Sequence, residues 1–364
     1  VTETAQDTLQ QRLAEFIVPQ TGRALGEAGT RLAIEPSADG FDVRVTCGFP
    51  AARAGAELER RLGEHCAPLS VGRVTFSVDW SIETHAVQRG LKPLPGVANL
   101  IAVASGKGGV GKSTVAANMA LALVGEGAAV GVLDADIYGP SQPRILGLLG
   151  QRPKTLDGKT LEPLVAHGLK TMSIGFLVDE AQPMAWRGPM VTSALNQLLG
   201  QTNWGETDYL IIDMPPGTGD IQLTLAQRVP VSGAIIVTTP QDIALADARK
   251  ALEMFQKVSV PVLGVAENMS IHVCSSCGHE EAVFGSGGGE RLSADYGLPL
   301  LGRLPLQRAI ADHTEQGRPT VVADPESAAA RLFGELALRA AGELAASGKD
   351  YSRLFPEITV EEER

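Results

Sequence analysis

V-A-S-G-K-G-G-V-G-K-S-T, residues 103–114, decides the fold of this chain. Its spacing fits G-x-x-x-x-G-K-[ST], with Gly106, Gly111, Lys112 and Ser113 at the fixed positions. Gly108, Gly109 and Gly111 let the backbone curl with its N–H groups turned inward. The result is a nest for phosphate oxygens along residues 106–114, Val110 and Thr114 included. A helix that follows such a loop presents its positive end to the same anion. Lys112 then reaches the β- and γ-phosphates of ATP, and the Ser113 hydroxyl ligates Mg²⁺. A plain Gly-rich turn does not account for the full pattern between a strand and a helix.

Lys107 adds a second lysine at the other end of the loop. It is either a solvated charge or a group that reaches the active site of a facing subunit, neutralising charge there as an arginine finger does.

Outward from the loop, residues 99–104 read as a short buried strand and residues 112–126 as an Ala-rich helix. Apolar runs at 130–133, 210–212, 234–238 and 262–267 have strand length, with helical patterns at 190–199, 222–228 and 243–258. Wholly apolar strands alternating with helices indicate an α/β P-loop NTPase: a mainly parallel sheet covered by helices on both faces. V-L-D-A-D, residues 132–136, brings Asp134 and Asp136 to a strand's C-terminal end, where open α/β sheets bind ligands. Y-L-I-I-D-M-P-P-G-T-G-D, residues 209–220, delivers Asp213 beside the phosphates as a partner of the Mg²⁺ shell. Its Pro-Pro-Gly turn can aim an N–H at the γ-phosphate.

A chain of 364 residues suggests two folded units. Residues 1–85 read as a small N-terminal α+β domain, with helical patterns at 8–16 and 51–66 and strands at 31–35, 41–47 and 73–80. Residues 86–98 hold two prolines and two glycines, which is linker chemistry. The ATPase domain then covers 99–346, closing on an Ala-rich helix at 326–346, and 347–364 is a tail with an acidic end.

The net charge of −11 lacks the basic surplus of a nucleic-acid binder. No run approaches the roughly 20 apolar residues that span a bilayer, and residues 1–20 lack a signal-peptide layout. The absent initiator Met indicates trimmed numbering. The expectation is a cytoplasmic protein with no membrane or nucleic-acid partner, whose four cysteines stay reduced. Cys47 and Cys66 stand alone and read as buried apolar residues.

Cys274 and Cys277 form the C-x-x-C of V-C-S-S-C-G-H, residues 273–279. Two intervening residues let both thiolates face one metal, and soft sulfur suits an iron–sulfur cluster or Zn²⁺. A closed site needs about four ligands, and the chain has no second C-x-x-C. A two-fold dimer would supply the other pair by symmetry. On the residues alone, a redox dithiol, an intrasubunit zinc site using His272 or His279, and purely structural thiols stay open.

With the doubled lysine, D-A-D and D-M-P-P-G-T-G-D in place, the chain resembles the Mrp family of ApbC-type iron–sulfur cluster carriers. These are deviant-Walker-A ATPases, alongside MinD, ParA and the nitrogenase iron protein. The resemblance covers residues 90–345. Its blocks are K-P-L-P-G-V from Lys92, D-A-D-I-Y-G-P-S from Asp134, E-N-M-S-I-H-V-C-S-S-C-G-H from Glu267, F-G-S-G-G-G-E-R-L from Phe284, L-G-R-L-P-L from Leu301 and G-R-P-T-V-V-A-D-P from Gly317. In the first 85 residues the family's acidic-proline signature is reduced to Ile34-Glu35-Pro36.

The resemblance implies a homodimer that sandwiches two ATP molecules and hydrolyses them slowly, with Lys107 acting across the interface. It implies that Asp136 positions the attacking water, that Asp134 supports the same switch, and that Asp213 holds the Mg²⁺ shell. Asn268 matches the adenine-reading position, and Pro305 a segment bordering the base. The cargo would be a four-iron four-sulfur cluster held between the Cys274 and Cys277 pairs of two subunits. It would be received from cluster-assembly machinery and passed to apo iron–sulfur proteins. A MinD- or ParA-like positioning ATPase and a nitrogenase-type reductase are the alternatives. Against the first, the end Y-S-R-L-F-P-E-I-T-V-E-E-E-R lacks a basic amphipathic membrane helix.

Overall fold

A computed structural model describes residues 3–88, 90–155, 157–177, 188–274 and 276–348. The acidic end at 361–364 lies outside the described residues. An eight-stranded sheet organises the larger part of the chain. From one edge its strands are Leu300–Arg303, Val262–Glu267, Gly233–Thr238, Val97–Ala104, Thr207–Asp213, Val130–Asp134, Leu169–Ser173 and Leu164–Ala166. All neighbours run parallel except the last pair. The central strands are buried along their length, as in Gly233–Thr238 and Val130–Asp134, so they read as unbroken apolar runs rather than alternating ones.

Three strands of this sheet escape the periodicity reading. Leu164–Ala166 and Leu169–Ser173 form a hairpin whose turn places His167 and Gly168 at φ 53° and 81°. That is the left-handed pair a two-residue hairpin turn requires. Leu300–Arg303 is a four-residue edge strand, too short to show a period.

Register decides what meets at the sheet's C-terminal edge. Asp213 pairs with Val103 on one side and with Asp134 on the other, and Asp134 pairs with Ser173. The strand Thr207–Asp213 next to the P-loop strand, and Val130–Asp134 beyond it, therefore each end in a carboxylate at the same level.

A separate three-stranded sheet forms from Arg31–Pro36, Gly40–Cys47 and Arg73–Trp80. The last two run parallel and are joined by the helix Ala54–Cys66, whose Leu58 and Leu62 stripe is buried. The first helix spans Glu3–Ala14, starting earlier than the expected 8–16. Its opening turns are polar, and only Leu9 and Leu13 enter the core, so apolar spacing marks the packed half alone.

Contacts at two helix ends are among those that join this small sheet to the larger one. The cap position of Ala54–Cys66 offers no side-chain hydrogen bond of its own. Instead Glu126, just past the P-loop helix Lys112–Gly125, accepts the N–H groups of Arg53 and Ala54 at 2.9 and 3.1 Å. Gly29 and Gly48 lie so close to Ala345 of the last helix, Ala328–Ala345, that a Cβ on either would come within 2.6 and 2.9 Å of the Ala345 Cβ. Within the Pro/Gly-rich connection, Gln88 is buried. Its Nε2 donates to the Ala226 carbonyl at 2.7 Å, and its Oε1 accepts from Val231 N–H at 3.0 Å.

Candidate phosphate-loop and dithiol sites

The loop between Val97–Ala104 and Lys112–Gly125 turns through Gly109 and Gly111, at φ 79° and 80°. Gly106 faces the backbone of Asp247, where a Cβ would sit 2.1 Å from the carbonyl carbon. At Gly111 a Cβ would sit 2.2 Å from the Asn268 amide nitrogen. An alanine at 111 therefore meets backbone strain and a steric clash together, each costing on the order of 1 kcal/mol or more. We expect Gly111→Ala to weaken ADP binding at least ~10-fold in a fluorescent-nucleotide titration.

Lys112 and Asp213 are both buried and form an ion pair, and the Lys112 ammonium also stands 3.2 Å from the Ser113 hydroxyl. Asp213's second oxygen accepts from the Gln142 side-chain amide at 2.9 Å, and the same amide nitrogen reaches the Ser113 carbonyl at 3.1 Å. Asp134 forms no ion pair among the described residues. It is satisfied by the N–H groups of Asp136, Ser141 and Gln142 and by the Ser173 hydroxyl, all between 3.0 and 3.2 Å. Burial, and then the charge of Asp213, push its carboxyl above the usual carboxylate range. Asp136 is also pushed up, chiefly by burial, and accepts from Gly139 N–H at 3.3 Å.

Lys107 is half-buried beside this cluster, its carbonyl taken by the Ser105 hydroxyl at 2.9 Å. No carboxylate among the described residues pairs with its ammonium. The Gly217 N–H, read from sequence as a donor to the γ-phosphate, is given to the Ser105 carbonyl at 3.1 Å. Asn268 donates from its side-chain amide to the Val110 carbonyl at 2.9 Å, so the expected adenine-side residue leans on the loop itself. Pro305 follows Leu304, whose carbonyl accepts from Ser270, and so borders the same segment.

The oxygen donors here suit Mg²⁺, which prefers hard ligands and keeps several waters. Ser113 and Asp213 supply a hydroxyl and a carboxylate. Ser141 Oγ and Gln142 Oε1, on consecutive residues, are buried with no hydrogen-bond partner among the described residues. Orphaned acceptors of this kind fit a hydrated cation.

Segment 268–274 connects the loop to the cysteine pair. Met269 takes a left-handed φ of 56°, and His272 bridges to Leu306 and pairs with Glu281. The Cys274 thiol then receives the backbone N–H groups of Ser276 and Cys277, which draw its pKa below the ordinary thiol value. Cys277 is exposed. Among the described residues no three His, Cys, Asp or Glu side chains converge on a metal ion, so neither His272 nor His279 completes a site with the pair. Cys47 is the opposite case, its thiol pushed up by burial to about 12, and burial also raises Cys66. In native protein near pH 7, iodoacetamide should therefore modify Cys274 and Cys277 and spare Cys47 and Cys66, as read by peptide mass spectrometry. Prior labelling of Cys47 would contradict this burial order.

The profile of the family described as ParA, NUBPL iron-transfer P-loop NTPase, matches residues 96–341. This chain belongs to that family. Among NUBPL-type P-loop NTPases it is 57% identical to the iron-sulfur cluster carrier protein of Pseudomonas fragi over 269 residues, covering 74% of this chain and 94% of the relative. It is 46% identical over 345 residues to the iron-sulfur cluster carrier protein of Haemophilus influenzae, covering 94% and 93%. A nucleotide-binding protein of Archaeoglobus fulgidus, solved with ADP, superposes with TM-score 0.56 at 38% identity, covering 64% of this chain and 90% of that one. The Mrp resemblance read from the motifs and this family placement agree. No helix among the described residues is long and apolar enough to cross a membrane.

Four residues of the NTPase site escaped the sequence reading. Gln142, Ser141 and Ser173 support the two aspartates, and polar residues after a strand carry no signal for that. Glu267, buried at the end of Val262–Glu267, accepts the Gly289 N–H at the start of the helix Gly288–Tyr296. Gly288 there lies against Pro240, where a Cβ would come within 2.8 Å of the carbonyl oxygen. The glycines of F-G-S-G-G-G-E-R-L thus serve a close helix approach.

Proposed function

We propose that this chain is an ATP-binding and slowly ATP-hydrolysing iron–sulfur cluster carrier. It acts as a homodimer in the cytoplasm, takes a four-iron four-sulfur cluster from assembly machinery and delivers it to apo-proteins. One observation carries the reading: an accessible dithiol with a lowered thiol pKa and no third ligand among the described residues, in the same chain as a complete phosphate loop. Two cysteines are half a cluster site, and a second copy supplies the other half through a two-fold axis. The family placement and the names of the relatives support the same reading.

At the phosphate site, residues 106–114 bind the nucleotide phosphates and Lys112 exchanges Asp213 for the β- and γ-oxygens. Ser113 and Asp213 hold Mg²⁺, which neutralises phosphate charge when bound. Asp136 orients the attacking water while Asp134 braces it, and Lys107 completes the partner's site. Asn268 and Pro305 border the base. Residues 1–85 and 99–346 act as two domains across the 86–98 connection. Anaerobic reconstitution with iron and sulfide tests the carrier reading: dimers with cluster absorbance and about two irons per chain support it. Monomers without absorbance, all thiols being intact, would overturn it.

A further inference from the structure

Gln142 joins every part of the metal–nucleotide corner. It follows Ser141 at the end of the stretch after Asp134 and is fully buried. Its backbone N–H donates to Asp134 at 3.0 Å, and its side-chain nitrogen donates to Asp213 and to the Ser113 carbonyl. Both side-chain neighbours can only accept, which fixes the amide's orientation. The carbonyl end, Oε1, is therefore turned away from them, buried, with no partner among the described residues, and the Ser141 hydroxyl shares that condition. A buried acceptor without a donor is costly, and two occur on consecutive residues whose backbone N–H groups both donate to Asp134. Asp134 already receives four donors, Asp213 accepts from Gln142, and the Lys112 ammonium is engaged by Asp213 and Ser113. Water bound to a divalent cation supplies the O–H donors this corner lacks.

We propose that Gln142 is a positioning residue of the metal–nucleotide site. Its nitrogen holds Asp213 in place once Lys112 turns to phosphate, and its carbonyl, with the Ser141 hydroxyl, accepts from metal-bound water. This rests on the ATP and Mg²⁺ reading proposed above and names two residues that reading does not use.

The test separates metal from nucleotide. ADP affinity is measured with EDTA and with Mg²⁺, and Mn²⁺ affinity by paramagnetic resonance in the presence of ADP, for the full chain and its Gln142→Leu and Ser141→Ala variants. Gln142→Leu should weaken Mn²⁺ binding ~10-fold, in the range typical of residues that orient metal ligands. Its metal-free ADP affinity should stay within about twofold of the parent's, a split that a merely structural tether would not produce. Ser141→Ala removes one acceptor with little change of volume and should weaken Mn²⁺ about threefold. Parental Mn²⁺ affinity in both variants overturns the assignment, as does an equal loss of metal-free and metal-bound ADP affinity. Should Gln142→Leu fail to fold, Ser141→Ala alone decides. A parent chain that binds ADP with no metal dependence sinks the ATP–Mg²⁺ reading itself, and the Gln142 role with it.

Discussion

Replacing Cys274 and Cys277 together with alanine is expected to abolish cluster loading. After anaerobic reconstitution the variant should show iron at background and at least ~100-fold less cluster absorbance than the parent, since each dimer loses all four thiolate ligands. ATP turnover should persist, because the phosphate loop draws on Lys112, Ser113 and Asp213 and on neither cysteine. Single substitutions should leave a labile, partly loaded species, because two of four sulfurs remain per dimer. Equal iron retention in the double variant would place the cargo elsewhere and end the carrier proposal as framed here. The Cys47 and Cys66 thiols provide the internal control. They are buried in the small sheet and its crossover helix and offer no opening for a cluster.

Lys112→Met carries the second large effect, and it has two separable parts. Turnover should fall at least ~100-fold, since the ammonium that stabilises the transferring phosphoryl group is gone. The fold should also weaken, by ~3–5 kcal/mol in denaturant melts, because Asp213 is left as a buried charge without its cation. Adding Asp213→Asn on top should return most of the lost stability while leaving turnover low, since a neutral amide tolerates burial beside Gln142. A single variant as stable as the parent would mean that Asp213 finds another partner among its neighbours. Parental turnover would remove Lys112 from the chemistry altogether.

The loop was readable from residues because its chemistry is tied to spacing: glycines, lysine and serine at fixed offsets admit few other uses. Asp134 and Asp213 were also visible, each as a carboxylate closing an apolar run. Their adjacency was not, because it depends on the register by which Thr207–Asp213 lies between Val97–Ala104 and Val130–Asp134. Gln142 and Glu267 were invisible for a related reason. A buried polar residue is defined by what surrounds it, and nothing in a linear pattern records that a glutamine's two ends face different partners. The missed hairpin at Leu164–Ser173 reflects local chemistry instead, since His167 occupies a left-handed position that asparagine or glycine more often announces.

Glu126 draws the chain's true seam in a different place from its prolines and glycines. The carboxylate sits one step beyond the helix that cradles phosphate, yet the backbone donors it satisfies begin a helix of the three-stranded sheet. One fold thus finishes the secondary structure of the other, and fraying at the end of the phosphate helix uncovers the first turn of its neighbour. The stretch that composition marks as a connection is thus bridged by hydrogen bonds elsewhere in the chain. Because Glu126 caps a helix outside its own sheet, local opening at the end of the phosphate helix would take with it two hydrogen bonds of the small sheet's helix.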